Sequence, residues 1–142
     1  MNVGSLFSGV GGLDLGIGHE PSWFCEYDAH CRKVLERHWP GVPCYPDVRE
    51  IGAEVGHVDI LHGGYPCQPF SVAGKREGAD DPRHLWPEFA RLIRVLRPRV
   101  VVAENVAGHL RLGFHAVLAD LAGLGMDVRW GVVRASDVGA PH

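Results

Sequence analysis

Short apolar runs alternate along the chain with segments whose apolar residues recur at helical spacing. Val3 to Phe7 is a run that ends in Ser8-Gly9-Val10-Gly11-Gly12, and Leu13 to about His19 can open as a helix. Trp23 to Tyr27 reads as a second strand, and Ala29 to Trp39 carries Val34, Leu35 and Trp39 on one helical face before Pro40-Gly41 stops it. Val42 to Tyr45 predicts a third strand, and Val58 to Leu61 a fourth that leads into Gly63-Gly64. Leu85 to Leu96 holds a helical stripe ending before Pro98. The β-branched run Val100-Val101-Val102-Ala103 is too apolar for a half-exposed strand, which predicts a place buried in a parallel sheet. Phe114 to Leu124 reads as a helix stopped by Gly125, and Val128 to Val133 as a further strand.

This rhythm predicts an α/β fold, an open and mostly parallel sheet of the doubly wound, Rossmann-like kind with helices on both faces. Ligands of such sheets bind beyond the carboxyl ends of the strands, so the polar residues there are the ones to examine.

The 142 residues suit one domain, and 46% apolar with 22% charged residues is an ordinary globular composition. No repeat, low-complexity tract or linker interrupts it. Apolar runs are too short to span a bilayer, and the N-terminus lacks the pattern of a secretory signal, so no membrane is expected and the cytoplasm is the default compartment. Cys25, Cys31, Cys44 and Cys67 have neither the density of a disulfide scaffold nor a Cys-x-x-Cys pair, which predicts reduced thiols and no metal. The histidines show no triad or metal spacing and are read as ordinary surface or satisfied side chains. A net charge of −3 argues against nucleic-acid binding through bulk electrostatics.

The glycines of Phe7-Ser8-Gly9-Val10-Gly11-Gly12 permit a tight turn and a close ligand approach, although the dinucleotide fingerprint matches poorly because Asp14 takes the third glycine position. Glu26 ends the second strand, where a carboxylate accepts hydrogen bonds from ribose hydroxyls, and Asp47 follows the third, placed to meet an adenine amino group. Three strand ends thus point to one nucleoside. The fourth strand delivers Gly64-Tyr65-Pro66-Cys67-Gln68-Pro69-Phe70-Ser71, in which two prolines fix the direction of one thiol. The fifth ends in Glu104-Asn105-Val106, expected to present a buried carboxyl beside it.

Together the glycine loop, the Pro-Cys-Gln segment and Glu104-Asn105-Val106 resemble the first, fourth and sixth blocks of DNA (cytosine-5) methyltransferases, in order and spacing. Residues 78–86 resemble the fifth block and residues 134–142 the start of the eighth. The resemblance implies an S-adenosylmethionine-dependent methyltransferase fold, with Phe7, Gly9, Gly11, Gly12 and Pro66 around the cofactor, Glu26 on its ribose, Tyr27 against the adenine, and Asp47 with Val48 at the adenine edge. It implies Cys67 as the nucleophile on C6 of a cytosine flipped out of double-stranded DNA, Glu104 at N3 of that base, and Asn105 bracing the Pro-Cys loop. Gln68 and Ser71 would contact the DNA.

Against the family pattern, the chain reads as a partial catalytic domain over residues 1–142, truncated at its C-terminal end, without the target-recognition domain and the later blocks. Three accounts follow: an enzyme completed by a second chain carrying that domain, an inactive cofactor-binding remnant or regulatory module, and a piece of a longer protein. Pyrimidine methylation on a free nucleotide also uses a Pro-Cys nucleophile, but with a folate, which leaves the glycine loop without a purpose.

Overall fold

A computed structural model describes residues 1–66, 85–111 and 113–140. Five parallel strands, β1 (Val3–Leu6), β2 (Trp23–Cys25), β3 (Cys44–Tyr45), β4 (Ile60–Gly64) and β5 (Val100–Glu104), form one sheet in the order β3-β2-β1-β4-β5. Between them run α1 (Gly12–Ile17), α2 (Ala29–His38), α3 (Trp86–Leu96) and, after β5, α4 (Phe114–Gly123). β1 is the middle strand, and its four residues are accordingly all buried. Its register sets Gly4 beside Trp23 on one flank and Leu61 on the other.

Side chains alternate across the pleat and give the sheet two different faces. Leu6, Trp23, Cys25 and Leu61 face α3 and α4, in one cluster with Phe89, Leu92, Ile93, Val117 and Leu121. This face is aromatic: Trp86 stacks on Phe89 at 5.7 Å and lies 5.2 Å from Tyr65, while its indole N–H donates to Asp120 at 2.7 Å. The opposite face carries Val3, Ser5, Phe24 and His62, all buried, beneath α1 and α2. Phe24 meets Trp39 edge to face at 5.4 Å, and Leu35 of α2 is fully buried. Helices on both faces are therefore present, as the alternating pattern predicts.

α2 starts where Asp28 accepts hydrogen bonds from the backbone N–H groups of His30 and Cys31 at 2.8 and 2.9 Å, a side-chain cap for otherwise orphaned donors. Those two donors hold the Asp28 carboxyl below its usual range. α3 begins with Pro87 in its first turn and ends at Arg97, in the left-handed region at φ 48°.

Two expectations are corrected. Residues 128–133 form no strand: they pair with no other element, and Trp130, Val132 and Val133 are exposed. β5 is parallel to β4 but not buried, because it is the edge of the sheet and nothing among the described residues pairs with its outer side; Val100 is 48% exposed. Of the histidines, read as surface or satisfied side chains, His62 and His109 are the interior ones, at 0% and 3% exposure. Boundaries also move. β1 stops at Leu6 because Phe7 turns into the left-handed region at φ 52°, and β4 runs later than the apolar run because Gly63 and Gly64 are themselves paired to β5.

Gly11 has φ 87°, and a Cβ there would lie 2.5 Å from the Trp39 ring. Gly9, at φ 56°, would meet nothing within 4 Å. Gly11→Ala therefore carries both the left-handed backbone cost of roughly 1–2 kcal/mol and a clash, and Gly9→Ala only the former. Urea unfolding should find Gly11→Ala the more destabilised, by about 1 kcal/mol or more; equal losses would contradict the packing of Trp39 over the loop.

Candidate active site

All five strands point their carboxyl ends the same way, so the segments following them gather along one edge. The loop after β1 is tied down from several sides. Ser8 donates its backbone N–H to the Cys25 carbonyl at 3.2 Å, and its hydroxyl, which accepts from Ser5 Oγ at 2.9 Å, lies within 3.1 Å of the Ser5 carbonyl oxygen. Gly9 N–H donates to Glu26 Oε2 at 2.7 Å, while Glu26 Oε1 accepts from Asp28 N–H at 2.7 Å. Two backbone donors thus fix the carboxylate at the end of β2 against the glycine loop. Phe7 anchors the loop from the other face, with its ring 6.3 Å from Phe89. A non-glycine residue at positive φ is strained and persists only where its surroundings over-determine it.

The other residues expected around a nucleoside are ordered in the same manner. Tyr27 follows Glu26 with its ring 81% exposed. Its carbonyl and that of Glu26 accept from the Arg32 guanidinium. Asp47 caps a 3-10 turn by accepting from Arg49 N–H at 2.9 Å, and its other oxygen lies 3.4 Å from the Arg49 guanidinium. Val48 is buried, and its carbonyl accepts from Arg91 of α3 at 3.0 Å, which docks the turn onto the helix layer. Gly9 and Gly12 meet nothing at their Cβ positions, so open space lies over the loop beside a fixed carboxylate and an exposed aromatic ring. That arrangement fits an adenosine-bearing cofactor.

At the other end, Gly64 and Glu104 are partners in the register of β4 with β5, and a Cβ on Gly64 would lie 2.8 Å from Glu104 Oε2. Glycine at 64 leaves the room the carboxylate takes. Glu104 is exposed rather than buried as expected, because it closes the edge strand. Asn105 donates from Nδ2 to the Tyr65 carbonyl at 3.1 Å and accepts from Val106 N–H at 2.8 Å, a link between the end of β5 and the residue preceding Pro66. Cys67, Gln68 and Ser71 lie outside the described residues.

Sequence reasoning missed one group here. Asp14 of α1 and His62 of β4 are both fully buried, with carboxylate and imidazole 3.2 Å apart beneath the glycine loop. Its signals were Asp14 in the place of a fingerprint glycine, and a histidine inside the most apolar stretch of a central strand. Among the described residues no group of three or more ligating side chains could hold a metal.

With this geometry in view, the family model for the C-5 cytosine-specific DNA methylase matches residues 1–142, and the chain belongs to that family. It is 39% identical over 120 residues to the Type II methyltransferase M2.BsuMI of Bacillus subtilis, a match covering 79% of this chain and 31% of the relative. To M.Bsp6I of a Bacillus species it is 35% identical, over 98% of this chain and 48% of the relative. Among solved structures, a prophage-encoded protein of E. coli assigned as a DNA modification methyltransferase superposes with a TM-score of 0.72 at 32% identity, over 87% of this chain and 37% of the other. The methyltransferase EhMeth of Entamoeba histolytica, 20% identical, shares the fold with a TM-score of 0.76 over 99% of this chain and 49% of the other. The chain thus spans between 31% and 49% of the length of these relatives.

Burial pushes the Cys25 thiol up to about 12, helped by Cys44, Glu26 and Asp47 nearby. At pH 8 its thiolate fraction is on the order of one in ten thousand, so alkylation by iodoacetamide should leave Cys25 unmodified in the folded protein and reach it after denaturation. Peptide mass mapping of the two samples checks this, and rapid native labelling of Cys25 would contradict its burial.

Proposed function

We propose that this chain provides the catalytic part of a DNA cytosine-5 methyltransferase, binding S-adenosylmethionine at Phe7, Gly9, Gly11, Gly12, Glu26, Tyr27, Asp47, Val48 and Pro66. The observation that carries the reading is the abutment of Gly64 and Glu104. It brings a carboxyl group to the strand end that runs into Pro66 and Cys67, across the sheet edge from the glycine loop. The cofactor, when bound, supplies an electrophilic methyl group.

The chain's own residues then divide the work. Cytosine C5 is a poor nucleophile in the aromatic ring, so the Cys67 thiolate adds to C6 and makes C5 electron-rich. Glu104 holds a proton at N3 and offsets the charge that addition places on the ring. After methyl transfer the C5 proton leaves, the bond between Cys67 sulfur and C6 breaks, and the thiolate is regenerated. Asn105, through the Tyr65 carbonyl, holds the segment before Pro66. The base must leave the duplex to meet these groups, with Gln68 and Ser71 on the DNA side. The Type II methyltransferase names of the relatives support a DNA substrate within restriction-modification, and we place the reaction on double-stranded DNA in the cytoplasm.

We further propose that a target-recognition domain, carried by a second chain or by more of the same one, completes the enzyme. The net charge of −3 and the outer side of β5, unpaired among the described residues, favour this reading. Between that side and residues 126–133 lies an open cleft of about 500 Å³ lined by Val100, Val106, Phe114 and Trp130.

Isothermal calorimetry should detect S-adenosylmethionine binding, and Glu26→Ala should weaken it about tenfold or more by removing hydrogen bonds to a charged group. DNA containing 5-fluorocytosine should trap a covalent adduct when the target-recognition domain is supplied, and Cys67→Ser should abolish it. Cofactor binding without any adduct would favour a regulatory module over an enzyme.

A further inference from the structure

Neither the cofactor group nor the cysteine chemistry accounts for the buried pair of Asp14 and His62. Both side chains are sealed from solvent, and the imidazole Nε2 lies 3.2 Å from Asp14 Oδ1. The contact is one of proximity rather than an aligned hydrogen bond, since none of the four polar atoms has a hydrogen-bond partner among the described residues. Such a pair is a poor way to stabilise a core, because desolvating two polar groups offsets their attraction and an apolar pair of similar volume commonly does as well. The neighbouring Val3, Phe24 and Leu35 show that this face can be built from apolar side chains.

Its place in the chain suggests what it does instead. Asp14 stands two residues after Gly12, and His62 five residues before Cys67. His62 is in register with Ser5 of β1, whose hydroxyl donates to Ser8 inside the glycine loop. A polar layer of Asp14, His62, Ser5 and Ser8 therefore underlies the loop. It joins the helix that continues the loop to the strand that delivers the Pro-Cys segment.

We propose that the Asp14–His62 pair is a positioning device that fixes the height of α1, and with it the Gly9 to Gly12 turn, over the end of β4. This rests on the reading that the turn holds S-adenosylmethionine. Under it, the pair sets the cofactor loop relative to the strand leading to Cys67, and neither residue touches substrate. A buried polar contact 3.2 Å long ties one point of α1 to one residue of β4, where an apolar contact would tolerate sliding.

The test compares Asp14→Leu, His62→Leu and the double variant by thermal unfolding, by calorimetry with S-adenosylmethionine, and by amide exchange at Gly11 and Leu15 without cofactor. These amides donate to the Ser8 and Gly11 carbonyls at 2.9 and 3.1 Å and so report on the loop directly. Each single variant should lower Tm by leaving its partner buried alone, and the double variant should regain it. Affinity for the cofactor should nevertheless stay down by about tenfold in the double variant, with exchange at Gly11 and Leu15 still fast, because preorganisation has been lost. A double variant with Tm, affinity and exchange all restored would overturn the proposal and leave the pair as core filling. If the parent protein binds no S-adenosylmethionine, the reading of the site fails while the exchange measurement still decides the pair. Should the leucine double variant not fold, Asp14→Asn keeps the size and removes the charge: faster loop exchange supports the proposal and unchanged exchange overturns it.

Discussion

The close approach of β1 and β4 is the constraint on which the rest of the structure depends. A Cβ at Gly63 would run into the backbone carbonyl of Leu6, so only glycine lets these two central strands pair through to their carboxyl ends. At those ends stand the glycine loop, emerging from β1, and Tyr65-Pro66, emerging from β4. Widen this pairing and the two halves of the site separate, whatever their own residues are. β2 and β3 extend the same edge on one side and bring Glu26 and Asp47 to it, and β5 brings Glu104 on the other.

The site is built largely from backbone. Gly9 and Asp28 N–H groups hold Glu26, Arg49 N–H holds Asp47, and the Tyr65 carbonyl holds Asn105. Side chains that would face a ligand are thus oriented by main chain, either of the neighbouring strand end or two residues further along their own segment. Such supports lose little conformational freedom when a ligand arrives, which is the economy of a preorganised site.

Much of this was legible in the residues. Strand and helix order followed from apolar spacing, and parallel pairing from the apolar character of the strands between helices. The Pro-Cys-Gln segment with Glu104-Asn105-Val106, and the glycine loop with Glu26, were enough to identify the family. What escaped depends on long-range geometry. Val100 to Ala103 has the composition of a buried strand, yet its burial depends on a neighbour, and residues 128–133 do not provide one. Glu104 inherits its exposure from the same edge. His62 looked ordinary because nothing local says that a histidine in β4 will find Asp14, some fifty residues earlier, across the packed face of a sheet.

The exposed outer side of β5 also bears on solubility. Three consecutive valines and an alanine on a strand edge, its outer side unpaired among the described residues, are a recognised hazard for edge-to-edge aggregation. Here the run is bracketed by charge, with Arg97 and Arg99 before it and Glu104 at its end. Charges flanking an apolar strand act as gatekeepers, because stacking copies in register would bring like charges together. Glu104 thus has a value independent of any chemistry: it helps keep an open sheet edge from becoming a template for its own kind.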